Sequence, residues 1–134
     1  MIAARRRLEA FRDVEFFQIG LSDAHGSLRF DSDSGSASAV SNAGSEEILV
    51  DALDAVVSEP VSLVKMDLEG WEMPALTGAQ GHIRETKPKL AIAAYHRAAD
   101  LREIHQYVQS LGHHYRIYLR HYTQGWSGSV LFFR

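Results

Sequence analysis

Asp67, Glu69 and His96 are the side chains of this sequence best suited to carry chemistry. Asp67 follows the apolar run Val61-Ser62-Leu63-Val64-Lys65-Met66, and Glu69 stands two residues further on, ahead of Gly70. His96 follows a second such run, Lys89-Leu90-Ala91-Ile92-Ala93-Ala94-Tyr95. A carboxylate closing a buried strand is costly without compensation, so Asp67 needs a partner or a task. Two carboxylates and an imidazole can take a proton from a hydroxyl, fix a cationic ligand or hold a divalent metal. Plainer roles exist for each. Asp67 can cap the helix that starts near Trp71, Glu69 can favour the positive end of that helix, and His96 can be a hydrogen-bonded structural histidine. Gly70 suits the tight turn from strand to helix.

These residues share a site only if the elements carrying them are neighbours. The two apolar runs read as buried strands. Between them residues 72–83 read as a helix with Met73, Leu76 and Ile83 inward, and Pro74 is tolerated in its first turn. Strands joined by one helix are usually adjacent, which places the Asp67 and His96 tips side by side. In open parallel α/β sheets ligands bind outside the carboxyl ends of the strands. Ser22-Asp23, closing a strand expected over residues 14–21, marks a third such end.

Residues 3–11 read as the end of a helix with Ala4, Leu8 and Phe11 on one face and Arg5 to Arg7 on a solvated one. Ser27-Leu28-Arg29-Phe30 alternates like an edge strand. Residues 31–47, rich in Ser, Ala, Gly and Asp, read as an insertion loop. A calcium loop on Asp31 and Asp33 is rejected, because Asn42 stands where the bidentate glutamate belongs. Leu53, Val56 and Val57 suit a short amphipathic helix. Asp100 is expected to cap a helix with Leu101, Ile104, Val108 and Leu111 inward, stopped by Gly112. Residues 114–119 and 129–133 form a last strand pair, antiparallel because the turn between them is short. The fold class is α/β: one domain over 1–134, with a mostly parallel sheet covered on both faces and a C-terminal antiparallel hairpin. Arg120, His121 and Tyr122 cluster in that hairpin, where a loop can face a substrate.

Composition narrows the function classes. The 134 residues carry a net charge of −3, which offers no basic stripe for nucleic acid. Cysteine is absent, so disulfides, thiolate metal sites and cysteine nucleophiles are excluded. Apolar runs fall short of a membrane span. The expectation is a cytoplasmic protein without nucleic-acid or membrane partners.

The stretch Val64-Lys65-Met66-Asp67-Leu68-Glu69-Gly70-Trp71-Glu72-Met73-Pro74-Ala75-Leu76-Thr77-Gly78-Ala79 resembles the signature of the FkbM-type methyltransferases. In that family a strand reading roughly I-K-I-D-V-E-G precedes a helix reading x-E-x-x-x-L-x-G-A. Gly20-Leu21-Ser22-Asp23 with Gly26, Lys87 to Ile92 leading to Tyr95-His96, and Tyr118 to Tyr122 agree in the family's order. The resemblance implies a class I, Rossmann-like sandwich whose last strand is antiparallel. It also implies methyl transfer from S-adenosylmethionine to a hydroxyl of a sugar or natural product. Leu21, Ser22 and Asp23 would then flank the cofactor, with Ser22 and Asp23 beside its adenine. Asp67 would lie near its methionine end and the transferred methyl. Glu69 and His96 are the candidates for orienting or deprotonating the acceptor hydroxyl, a task a divalent cation could take instead. Trp71 and His121 are the candidates for touching the acceptor.

The family's glycine-rich turn and ribose-binding acidic residue have no counterpart upstream of Val14. The expectation is therefore a partial domain with exposed strand edges that invite self-association. Two alternatives follow. One is a non-catalytic remnant or interaction module of the same fold. The other is a phosphoacceptor receiver-like signalling domain, suggested by Asp67 ahead of Met73-Pro74 and Gly78.

Overall fold

The computed structural model describes residues 6–8, 10–30, 46–112 and 114–134. In chain order the elements are β1 (Gly20–Leu21), β2 (Gly26–Phe30), β3 (Glu46–Asp51), α1 (Leu53–Val56), β4 (Leu63–Met66), α2 (Glu72–Thr77), α3 (Gln80–Thr86), β5 (Lys89–Ala93), α4 (Asp100–Ser110), β6 (Ile117–His121) and β7 (Ser129–Phe133). They form two sheets, ordered β1-β3-β2 and β4-β5-β7-β6. In the larger sheet β4 and β5 are parallel, Val64 opposite Leu90, whereas β7 runs antiparallel to both β5 and β6. In the smaller one β1 is parallel and β2 antiparallel to β3. The fold is thus mixed α/β rather than mostly parallel.

Alternation dictates the larger sheet. Val64, Met66, Leu90, Ile92, Leu131 and Phe133 point to one face and are buried. Ala75, Leu76, Ala79 and Ile83 of the α2–α3 segment, with Ile104, Val108 and Leu111 of the α4 segment, close over them. Each fully buried Leu or Ile contributes ~1.5–3 kcal/mol, so this layer is the main source of stability. The opposite face was expected to be covered as well. Instead it is open, with a groove of about 560 Å³ lined by sheet residues such as Lys65, Ala91, Tyr118 and Phe132 and by the chain end. Among the described residues, no helix is long and apolar enough to cross a membrane.

Several elements depart from expectation. Over residues 14–21 only Gly20–Leu21 is strand, and Val14 and Phe17 are exposed. Apolar content alone cannot make a strand; β1 pairs with β3 only through Gly20–Val50 and Leu21–Asp51. The helix expected over 3–11 lies partly outside the described residues; residues 6 and 7 are helical, and Leu8 and Phe11 are exposed rather than inward. Most of the insertion, 31–45, also lies outside them, but Glu46 and Glu47 belong to β3. Leu101 is exposed, because the buried stripe of α4 runs through Asp100, Ile104 and Val108. Asp100 does not cap its own helix: its carboxylate accepts the Arg97 N–H at 2.7 Å, closing the turn after His96. Gly112 stops that helix as expected, with φ +94°.

The helix expected over 72–83 is broken into α2 and α3 around Gly78 and Ala79. A Cβ on Gly78 would fall 1.9 Å from the Ser22 carbonyl oxygen and 3.0 Å from Cα of Ala52. Gly78 is needed for close approach, not for its dihedral angles. Its own carbonyl accepts the Asp54 N–H at 2.9 Å, and the Asp54 carboxylate then accepts N–H groups of Gly81 and His82, at 2.7 and 3.0 Å. An acidic side chain from α1 therefore caps α3 from outside. These contacts lock the small sheet and α1 onto the helices that lead away from Asp67. Gly78→Ala should force this junction apart and cost ~1–3 kcal/mol, the usual penalty for overpacking. Chemical denaturation measures it; an unchanged midpoint would show that the junction is loose.

Candidate functional site

The parallel pairing of β4 and β5 puts their carboxyl ends side by side. Asp67 follows β4 directly, and the chain then turns through two residues of positive φ, Glu69 at 52° and Gly70 at 94°. A left-handed glutamate is uncommon, and such strain concentrates at functional sites. Gly70 needs its freedom: its φ is one that side-chain-bearing residues rarely adopt, and a Cβ there would stand 3.7 Å from Cβ of His96. The double turn aims both carboxylates at His96. Its Nε2 lies 3.4 Å from Asp67 Oδ1 and 3.4 Å from Glu69 Oε2.

The other side of the ring meets a residue that sequence reasoning passed over. Glu72, the first residue of α2, is buried, and its Oε1 lies 2.9 Å from His96 Nδ1. The same oxygen accepts the Leu68 N–H at 2.7 Å. Glu72 read simply as a helix start. The signal for it was an acidic residue five positions after Asp67, on the turn that returns toward the rim. Three carboxylates thus surround one imidazole whose side chain is only 7% exposed. Donor atoms of Asp67, Glu72 and His96 all lie within 4.8 Å of one another.

Aromatic residues extend the rim. Tyr95 lies against the His96 ring at 4.0 Å and donates its hydroxyl to Asp67 Oδ1 at 3.1 Å. Trp126 is exposed and stands edge-on to Tyr95 at 6.3 Å. On the other flank the Trp71 indole N–H points to the buried Ser22 Oγ at 3.4 Å, and Ser22 donates to Asp23 Oδ1 at 3.1 Å. The Ser22 tip is thereby tied to the acidic turn. Leu21 packs half-buried against the core and Asp23 is exposed. His121 stands apart, two strands from β5, with Nδ1 2.9 Å from Ser129 Oγ. His82 is structural, its Nε2 2.8 Å from the Val57 carbonyl. His114 and His105 are exposed, while His113 and the Asp31–Asp33 motif lie outside the described residues. None of the acidic rim residues lines the large groove.

The sequence profile of the methyltransferase FkbM domain matches residues 11–115. The chain belongs to the FkbM methyltransferase family. It is similar to the crystal structure of a methyltransferase FkbM from Methylobacillus flagellatus KT, with 29% identity and a TM-score of 0.79. That alignment covers 99% of this chain and 32% of the solved one, so the chain spans about a third of its relative's length. No curated protein matches it. The receiver-like alternative gives way to this family assignment.

Tyr95 offers a direct probe of the rim. Partial burial, and next the hydrogen bond to Asp67, push its phenol above the ordinary 10.0. The neutral phenol is the donor, so the bond is intact below the unfolded-state value and is lost as pH rises through the raised one. In an absorbance titration, Tyr95→Phe should remove a phenol that ionises above the ordinary 10.0. Asp67→Asn should bring that ionisation down. If Asp67→Asn leaves it in place, the contact with Asp67 does not form.

Proposed function

We propose that this chain forms the rim where an S-adenosylmethionine-dependent O-methyltransferase of Rossmann-like, class I architecture joins cofactor to acceptor, a hydroxyl of a sugar or natural product. The convergence of Asp67, Glu69 and His96 at adjacent ends of β4 and β5 carries this reading, and the family assignment supports it. Bound S-adenosylmethionine would supply an electrophilic methyl on a positive sulfonium, which the acceptor oxygen attacks while its proton leaves. Asp67 offers negative charge to the sulfonium end, and Tyr95 holds that carboxylate in place. Glu69 is 40% exposed at the rim and is the base placed to take the hydroxyl proton. His96 is too buried to meet substrate and lies between these two carboxylates and Glu72. Leu21, Ser22 and Asp23 flank the cofactor and Trp71 contributes to the acceptor side, whereas His121, two strands from β5 and paired with Ser129, does not. The acceptor needs only to present a hydroxyl within hydrogen-bond reach of Glu69.

Calorimetry with S-adenosylmethionine and S-adenosylhomocysteine tests this. The protein should bind both; binding of neither by the folded protein leaves the non-catalytic reading in its place. Asp67→Ala should lower methyl transfer to a hydroxyl acceptor ~10²-fold or more, the scale seen when an electrostatic contact to the reacting centre is lost. Far-ultraviolet circular dichroism should be unchanged, since Asp67 is 42% exposed. Full activity would remove Asp67 from the mechanism.

A further inference from the structure

Four features of the acidic rim are more than proton transfer requires. First, Asp67, Glu72 and His96 present donor atoms within 4.8 Å of one another, from three separate backbone positions. Second, the site holds polar atoms without aligned partners. Neither ring nitrogen of His96 makes a hydrogen bond of acceptable geometry, although its side chain is more than nine-tenths buried, and neither does Glu72 Oε2. The near contacts are made off the bonding directions: Nε2 sits 3.4 Å from Asp67 and from Glu69, too long for a hydrogen bond of normal strength. Native proteins rarely leave such groups orphaned, and an ion is one of the standard explanations. Third, charge is unbalanced. Three carboxylates face one imidazole, and the neighbouring cation, Arg97, is turned instead to Asp100 and Glu103. A metal-ligating imidazole is neutral, so the carboxylates of Asp67 and Glu72 carry the charge that a divalent cation cancels. Fourth, the donors are held from behind. The Leu68 N–H occupies Glu72 Oε1 and leaves Oε2 free, and the Asp100 clamp on Arg97 fixes the turn that carries His96.

We propose that Asp67, Glu72 and His96 form a binding site for one first-row divalent cation, with Glu69 as the nearest further donor. The imidazole decides the class of ion. Magnesium and calcium favour oxygen ligands alone, whereas manganese, cobalt and zinc accept mixed nitrogen and carboxylate sets. Asp67 and Glu69 leave the cluster open on its solvent side. In the methyltransferase reading, and resting on it, that open side is where an acceptor hydroxyl would meet the ion. Binding of the ion itself does not depend on that reading.

Electron paramagnetic resonance of free Mn2+ during titration into the apo chain provides the test. One equivalent should bind per chain. Asp67→Asn, Glu72→Gln and His96→Gln should each weaken binding at least tenfold, and His105→Gln, on the exposed face of α4, should not. Zn2+ should displace Mn2+ at comparable concentration, and Mg2+ only at tenfold excess or more. Circular dichroism of each variant in chelator checks the fold. Should His96→Gln unfold, Asp67→Asn carries the test, since that side chain is 42% exposed. Absence of stoichiometric binding by the folded chain would overturn the proposal, as would equal binding by Asp67→Asn or displacement by Mg2+ as readily as by Zn2+. Failure to bind S-adenosylmethionine leaves the Mn2+ count unaffected, so the two readings fail separately.

Discussion

A carboxylate that is almost wholly buried organises this structure. Glu72 lies at the start of α2, where one oxygen takes the Leu68 N–H and meets His96 Nδ1. Burying such a group without partners is prohibitive, and leaving one buried polar atom unpaired costs ~1–3 kcal/mol. The turn after β4 must therefore fold back on itself, and the end of β5 must bring His96 to it. Once both conditions hold, Asp67 and Glu69 have one place to point. The chemistry of the rim follows from where Glu72 is hidden.

A second constraint connects this rim to the rest of the chain. Gly78 lets the Ser22 carbonyl approach closer than any side chain would permit, and Trp71 reaches the Ser22 hydroxyl from the acidic turn. The Leu76-x-Gly78-Ala79 portion of the motif is a docking surface for the first strand tip, and the Asp67-x-Glu69-Gly70 portion is the acidic turn. The two sit on one helix-turn segment, so a shift in either displaces both. That coupling gives a physical reason why the two halves of the signature occur together.

Much of this was legible in the sequence. β4, β5, α4 and β7 bury apolar stripes, and strand adjacency placed Asp67 beside His96. What escaped was whatever depends on partners distant in sequence. The run 14–21 is apolar, but a strand exists only where another backbone lies beside it, and β3 supplies this just at Gly20 and Leu21. β3 was missed because acidic residues flank its apolar centre; its pairing with β2 spans the insertion. The helix break at Gly78 comes from a carbonyl more than fifty residues away. Glu72 escaped for a similar reason: an acidic first-turn residue is ordinary on a solvated helix, and only packing shows that this one faces inward. Coverage of both sheet faces, inferred from helices alternating with strands, failed because the helices between β4 and β7 all pack on one side.

The central claim is that Glu72 and His96 act as one unit. A double-mutant cycle measures this directly, using urea unfolding of Glu72→Gln, His96→Asn and the pair. Contacting residues in a shared network should show a coupling of ~1 kcal/mol or more, within the usual 0.5–3 kcal/mol range. Additivity within ~0.3 kcal/mol, the behaviour of independent sites, would contradict the account.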